Sequence, residues 1–424
     1  MDKNKRGLKI AVIGAGAAGL TAAYLLNKEN DVYLFEKNSY FGGHANTITT
    51  DENNGQTFDI DTGFIVFNDK NYPNFSKLIN ELEIPFKKSD MSFTYYSVNP
   101  LRLYSSDIPF GMFGLKRNIF NYKFYSFLYS ILEFNKIAIN DVSNGIDDNQ
   151  TLQDYLNQYN FSNQLIEDYI VPMGAAIWSA SFNDILDFPA KTFLNFWNNH
   201  GLLQLQGRPQ WYTVEGGSRM YVKKIIASLK NKPQFNSAIS VVRRTKSYVM
   251  IKMKDGIEYM FDKVVIGTHA DEALKLLEDP TPSERELLGQ WSYSNNKTYF
   301  HTDERVMPPR KQCWTSWNYV KESNDTQDPV SLTYWMNRLQ SIPSKTPYLV
   351  TLNTKVDIKE EHIIRELNYT HPIFSNKALK TQPKLPSLNG INQTYFCGSY
   401  FKNGFHEDAV SSAINAVKAL GVEW

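Results

Sequence analysis

Residues Leu8 to Ile13 form an apolar run that ends in Gly14-Ala15-Gly16-Ala17-Ala18-Gly19, and no other stretch narrows the possible folds as much. A short apolar run bounded by glycines reads as a buried strand. The Ala- and Leu-rich residues from Leu20 to Asn27 read as a helix, and Asp31 to Phe35 as a second strand that ends at Glu36, 22 residues after Gly14. Each glycine serves a distinct physical need. Gly14 permits the tight turn, Gly16 lets backbone approach a pyrophosphate, and Gly19 lets the helix pack closely on the strand. The Glu36 carboxylate is placed to accept hydrogen bonds from ribose hydroxyls. Three glycines alone say little. Between a strand and a helix, with an acid at this distance, they specify a dinucleotide-binding unit.

A chain of 424 residues exceeds one ordinary core, so two domains are expected. Material in the style of a nucleotide domain recurs twice. Thr213-Val214-Glu215-Gly216-Gly217-Ser218-Arg219-Met220 precedes a helix through Leu229. Strand-like runs follow over 238–246, 248–254 and 257–266, with the turn signal Asp255-Gly256 between the last two. Near the C-terminus an apolar run ends at Gly398, and Gly404 and a helix-like stretch come after it. We therefore assign 1–75, 205–285 and 385–424 to a nucleotide domain. A second, discontinuous domain, 76–204 and 286–384, holds most of the tryptophan and covers the cofactor. The fold class is α/β of mixed α+β character, and the polar residues 140–149 read as a surface loop.

Net charge is +1, with 45 basic and 44 acidic residues, so no electrostatic case for nucleic acid exists. The two cysteines, Cys313 and Cys397, form neither a disulfide framework nor a metal spacing, and no metal site is expected. The N-terminus is charged and reads as no signal peptide, and the longest apolar stretch, Leu8 to Leu26, is broken by glycines and Thr21, so a cytoplasmic protein is expected, one that could touch a membrane. Aromatic residues make up 14% of the chain, enough to wall a pocket for a flat or greasy ligand or simply to fill the core.

Just past Glu36 lies Phe41-Gly42-Gly43-His44-Ala45-Asn46-Thr47. Adjacent glycines suit backbone passing close to a cofactor. His44 could donate to a phosphate or ring oxygen, or cap a turn. Asp61, in Asp59-Ile60-Asp61-Thr62-Gly63, reads as a turn-former or as a site residue.

These landmarks, together with "FGGHANT", "PMGAAIWSAS", "NHGLLQLQGRPQWYTVEGGSRMYV", "YWMNRLQ" and "NGFHEDAV", resemble the flavin-containing amine oxidase superfamily over the whole chain. That superfamily includes amine oxidases, protoporphyrinogen oxidase and phytoene desaturases. Within it the chain is similar to a bacterial group of predicted NAD/FAD-binding, amine oxidoreductase-like proteins. That group is in turn similar to flavin desaturases of methyl-branched fatty acyl chains in furan fatty acid synthesis. The resemblance implies a Rossmann-type FAD-binding domain with a discontinuous substrate domain, and FAD as the cofactor. It carries Gly14, Gly16 and Gly19 to the pyrophosphate, Glu36 to the adenosine ribose and Ile239 to the adenine, and counts Ala17, Ala18 and Lys37 among the cofactor-binding residues. Gly42, Gly43, His44 and Ala45 fall beside the pyrophosphate or flavin. Gly398, Ser399, Phe405, His406, Glu407, Asp408 and Ala409 fall at the ribityl chain and pyrimidine end, where a helix N-terminus stabilises negative charge. Superfamily members often carry an acid where this chain has Ser399.

The expected reaction is hydride removal from a hydrophobic substrate, foremost desaturation of a methyl-branched fatty acyl chain of a lipid. An amine oxidase and a flavin isomerase without net oxidation are the alternatives. The residues Phe110 to Phe134 are aromatic and aliphatic with Lys116, Arg117 and Lys123 among them, which suits either an interfacial helix at the inner face of the membrane or a core-facing helix. Candidate catalytic residues are His406, His200, Trp178 and Tyr334. His200 reads as a base or as a C-terminal helix histidine, Trp178 as a pocket wall or core residue. Tyr334, Trp335 and Asn337 read as one strand with alternate residues facing the flavin.

Overall fold

The computed structural model describes residues 7–424, apart from 53–54, 108, 110, 205 and 323–330. Phe110, the first residue of the aromatic segment, therefore lies outside the described residues.

The first apolar run becomes the strand Lys9–Ile13, fully buried from its second residue onward except for Ile13 at 5% exposure. It sits inside a four-stranded parallel sheet, flanked by Asp31–Phe35 on one side and Lys263–Ile266 on the other, with Thr394–Phe396 beyond. The sheet thus joins three distant parts of the chain, as a parallel sheet requires, because its strands cannot be linked by tight turns. The helices Ala17–Leu26, Arg219–Ser228 and His406–Ala419 close one face in a shared apolar cluster with Val12, Leu34 and Val265.

The second sheet has seven strands, ordered Ile363–Pro372, Tyr293–His301, Leu349–Leu352, Leu332–Trp335, Trp317–Lys321, Phe93–Ser97 and Arg102–Ser105. All its strands come from 93–105 and 293–372. Helices of residues 122–199 lie over one of its faces, and one apolar cluster runs without a break from Ile13 and Phe396 through Trp178 and Trp197 to Tyr95 and Tyr319. The two sheets therefore share a core.

Three expectations are corrected. The run 257–266 is two strands in two sheets: Glu258–Phe261 pairs in a small antiparallel sheet, and Lys263–Ile266 joins the parallel one. Asp262 makes the switch, its carboxylate accepting from Lys9 N at 2.8 Å and its amide donating to Lys9 O at 2.8 Å. The polar stretch 140–149 is not all loop, because the helix Tyr122–Asn144 continues into it until Gly145 at φ 101° ends it. Asp141 is held there by the hydroxyls of Tyr155 (2.9 Å) and Tyr159 (2.7 Å). Finally, the strand through Tyr334 stops at Trp335 and Met336–Leu339 is helical. Asn337 fixes that bend by donating to Ser344 O and Thr346 O and accepting from Tyr348 N.

Candidate functional site

The glycines at the first turn divide into filled and open positions. A Cβ on Gly19 would lie 1.8 Å from Gly14 O, and one on Gly42 2.3 Å from Ala45 O, so backbone already occupies both places. A Cβ on Gly16 would meet nothing within 4 Å. Gly16 caps the helix Ala17–Leu26, which has no acidic side chain in its first turn. Open space in front of unpaired helix amides is what an anionic pyrophosphate needs. Gly42 donates to Ala15 O at 2.8 Å, and Gly43 packs against Gly16, so the second glycine pair borders the same space.

Glu36 is buried and already oriented: Oε2 accepts from Ala15 N at 2.8 Å and Oε1 from Asn38 N at 2.9 Å. The chain from Gln234 to Ser237 runs beside it, with Glu36 N donating to Gln234 O and Ser237 N to Glu36 O, both at 2.8 Å, and this delivers the largely buried Ile239. Lys37 points outward and pairs with Glu272.

Four of the chain's seven histidines gather at the junction of the two sheets. The His44 ring lies 5.0 Å from Tyr369 and 5.3 Å from His371, and its Nε2 is buried with no partner. Burial holds His44 well below the ordinary histidine range, helped by the neighbouring His371, His269 and His406. Burial also pushes His371 down to about 4, and His269 down against the pull of Glu272 and Asp271. His371 Nδ1 is bonded to Asn296 Nδ2 at 3.2 Å, and His269 stacks on Tyr293 with ring centroids 4.2 Å apart. His44, His269 and His371 are deep in the protein yet keep part of their surface open, as side chains on a cavity wall do. Sequence reading missed His269, His371, Tyr369 and Asn296. The available signals were the scarcity of histidine and the position of His269 directly after the strand-end residues Gly267 and Thr268.

At the far end, Gly398 N donates to Ser412 Oγ at 2.9 Å, and Ser399 starts a tight turn whose O accepts from Gly404 N at 3.2 Å. Gly404, at φ 91°, leaves room for the Phe374 ring, which a Cβ would meet at 2.8 Å. Phe405 caps the helix His406–Ala419 and stacks on Phe196 at 4.8 Å. His406 is clamped: its ring stacks on Phe64 at 3.7 Å and 9°, stands edge-on to Phe75, and bonds the Tyr221 hydroxyl through Nε2 at 2.8 Å. Burial lowers it to about 3, so it is neutral. Both acids beside it are engaged within the protein. Glu407 accepts from Asn74 N, Asn74 Nδ2, Phe75 N and Ser411 Oγ. Asp408, raised to about 6 by burial, accepts from Phe405 N at 3.0 Å and Asn403 N at 3.2 Å. The largely buried Ala409 packs into the core under the nucleotide sheet. What this helix end offers outward is backbone N–H, not carboxylate.

Asp61 is no local turn-former. It is fully buried and ties its own hairpin to the start of the helix Arg219–Ser228 and the end of the helix Met336–Leu339, accepting from Thr47 Oγ1 (2.6 Å), Ser218 N (2.9 Å), Ser218 Oγ (2.7 Å) and Gln340 Nε2 (3.0 Å). Burial raises it to about 6 against those hydrogen bonds.

Strand register gathers an aromatic wall. Phe93, Trp317 and Tyr334 are partners across three strands, as are Tyr95, Tyr319 and Leu332, and alternation puts both rows on one face. The second row continues through Leu352 and Thr298, so Tyr369 and His371 share that face at its other end. Trp317 and Tyr334 meet edge to face at 4.9 Å. Trp335 points to the opposite face, against Trp314. Asp168, beside Tyr95, is taken up by the Tyr95 hydroxyl (2.9 Å) and Arg102 Nε (3.2 Å). Trp178 lies within the helical layer among Phe188, Phe193 and Phe196 and is buried. His200 ends the helix Ala190–Asn199; its Nδ1 is bonded to Phe196 O at 2.9 Å, its ring stacks on Phe196, and burial lowers it to about 4. Of the four catalytic candidates, Tyr334 lines the wall, Trp178 is packed within the helical layer, His200 has its ring 6.2 Å from that of Phe405, and His406 follows Phe405 as the first residue of the last helix.

The open space at Gly16, the free helix amides, the preset Glu36 and the unpartnered His44 Nε2 together fit a flavin dinucleotide. The family model described as flavin containing amine oxidoreductase matches residues 17–366. Among solved structures, a CLA-producing fatty acid isomerase from P. acnes matches with a TM-score of 0.67 at 15% identity, covering 97% of this chain and 98% of that one. Cyclohexylamine oxidase from Brevibacterium oxydans matches with a TM-score of 0.67 at 14% identity over 98% of each chain. Wild-type putrescine oxidase bound to putrescine matches with a TM-score of 0.67 at 10% identity over 98% of each chain. Likenesses at such identities speak for the fold alone. No curated protein matches the sequence.

Proposed function

Because the chain belongs to the flavin-containing amine oxidoreductase family and is a FAD-dependent oxidoreductase, we propose that it removes hydrogen from the acyl chain of a lipid, foremost a methyl-branched one. When bound, FAD supplies the two-electron acceptor for a hydride leaving a C–H bond. Gly14, Gly16, Ala17, Ala18 and Gly19 would hold its pyrophosphate, Glu36 its ribose, and the first amides of the helix His406–Ala419 its pyrimidine end.

The observation that carries the substrate class is the wall that the partly exposed Trp317 and Tyr334 present, backed by the buried Phe93, Tyr95 and Tyr319. It is apolar, and the carboxylate touching it, Asp168, is already neutralised by Arg102 and a tyrosine. Such a wall binds a hydrocarbon chain by burial and excludes water from the reacting carbon. Trp317 Nε1 is buried without an acceptor, which leaves a donor for an acyl oxygen. Trp317 and Tyr334 also set two ring faces at right angles, a feature that favours the second reading, capture of an ammonium group by an amine oxidase. His200 is neutral, and with a proton on Nδ1 toward Phe196 O its Nε2 lone pair is open to accept the proton that accompanies hydride loss.

Anaerobic loss of absorbance near 450 nm against a lipid extract, followed by mass spectrometry of the bleaching fraction, tests this. Acyl products lighter by two hydrogens are expected. A product of unchanged mass with a moved double bond assigns isomerisation, and bleaching by amines alone assigns amine oxidation.

A further inference from the structure

The helix Tyr122–Asn144 is apolar on two sides. Phe124, Phe127, Phe134 and Ala138 face the core. On the outward side, Tyr122 (76% exposed), Tyr125 (46%), Tyr129 (67%) and Leu132 (44%) recur at the three-and-four spacing of one helix face. The stripe does not begin with the helix. Ile119 and Phe120 precede it, Phe120 at 92% exposure, and Tyr125 Oη donates to Ile119 O at 2.9 Å, which holds the turn against the helix. Arg117 Nη2 donates to Leu101 O at 3.0 Å and draws in another exposed apolar side chain, Leu101. A folded protein rarely leaves so many large apolar groups contiguous and outward without an occupant.

Charge decides which occupant. From Leu115 to Ile139 the chain carries Lys116, Arg117, Lys123 and Lys136 against Glu133 alone, a net +3 in a chain whose total is +1. All four cations are exposed, and the three lysines make no ion pair among the described residues. Two copies of such a face would repel each other. A surface with anionic headgroups would draw the cations in while the tyrosine rings and Phe120 settle at the boundary of headgroup and acyl chain. No helix among the described residues is long and apolar enough to cross a membrane, so the contact is one of lying on the surface. We propose that this face, from Leu101 and Ile119 to Leu132, docks the protein on an anionic lipid bilayer.

The test uses the full-length protein and flotation with vesicles of phosphatidylcholine alone or mixed with phosphatidylglycerol, without substrate, so that its outcome is independent of the reaction proposed above. Binding to the mixed vesicles, falling as salt rises, is expected. Phe120→Asp alters the most exposed residue of the stripe and should remove most of the bound fraction. The triple change Lys116→Glu, Lys123→Glu, Lys136→Glu should weaken binding at least about a hundredfold, given roughly fivefold per cation near such a surface. Retained cofactor absorbance and an unchanged melting temperature show that both variants fold. Failure of the parent protein to float at low salt overturns the proposal, as does equal binding by both variants. A dimer in sedimentation velocity that Phe120→Asp dissolves assigns the face to self-association instead.

Discussion

Replacing Glu407 by Ala separates a structural from a cofactor role for the acids at the start of the last helix. The helix Pro73–Glu81 opens with a proline, so its first orphan amides belong to Asn74 and Phe75. Both donate to Glu407, at 3.2 and 2.8 Å, and Asn74 Nδ2 and Ser411 Oγ add donors at 2.7 and 3.0 Å. Glu407 is only 8% exposed and Phe75 is fully buried, so water cannot replace the carboxylate. Hydrogen bonds to a charged group contribute about 1.5–3 kcal/mol each, and buried donors left unpaired cost about 1–3 kcal/mol. Since these effects overlap, roughly 3 kcal/mol is the expected loss for the variant. At ~2.1 cal/mol/K per residue, 424 residues unfolding together have an entropy near 0.9 kcal/mol/K, so the melting temperature should drop by about 3 °C. Glu407→Gln keeps the shape and one acceptor and should fall between. The assay is thermal unfolding of cofactor-stripped protein followed by circular dichroism, beside FAD affinity by fluorescence quenching. A variant that melts like the parent yet binds FAD tenfold more weakly would refute the capping argument and return Glu407 to the cofactor.

Gly19→Ala should yield protein without flavin absorbance, because its Cβ would sit 1.8 Å from Gly14 O and must push the helix off the turn; retention of a full complement of FAD counts against that geometry. Tyr221→Phe strands the buried His406 Nε2 and should lower stability by about 1–3 kcal/mol in urea unfolding, whereas an unchanged midpoint would show the imidazole has another partner. His371 is lowered from 6.5 to about 4, so it binds fewer protons folded than unfolded between those values. Its effect is to make stability rise with pH from about 4 to 6.5 and to level off above. The stability gap between the parent and His371→Gln should therefore be wider at pH 7 than at pH 5, and a constant gap would contradict a neutral buried imidazole. Trp317→Ala should raise KM for an acyl substrate more than it lowers kcat, since the wall binds the chain without touching the electrons in transit.

Much of the nucleotide half was legible in the sequence because its constraints are local. A strand, a turn that only glycine fits, and an acid at the end of the next strand all lie between Leu8 and Glu36, and each meets its partner through neighbouring backbone. The last helix was legible in part. Its N-terminus could be placed, but that its two acids serve as caps could not, because Glu407 closes a helix more than three hundred residues earlier in the chain. The aromatic segment around Tyr122 was left between core and interface, since its two apolar faces interleave in sequence and only packing shows which one is covered.

What the sequence alone determined is a dinucleotide-binding βαβ unit, since it follows from short-range sterics and hydrogen bonding; the flavoprotein architecture around it was implied by the resemblance its motifs carry. What only the tertiary structure decided is the composition of the site between the sheets. His44, His269, His371 and His406 come from four separate segments, and the wall of Tyr95, Trp317, Tyr319 and Tyr334 exists only through strand register. Pairings of that kind are set by how two sheets share one core, and burial there, not residue type, is what leaves the imidazoles neutral and the wall dry.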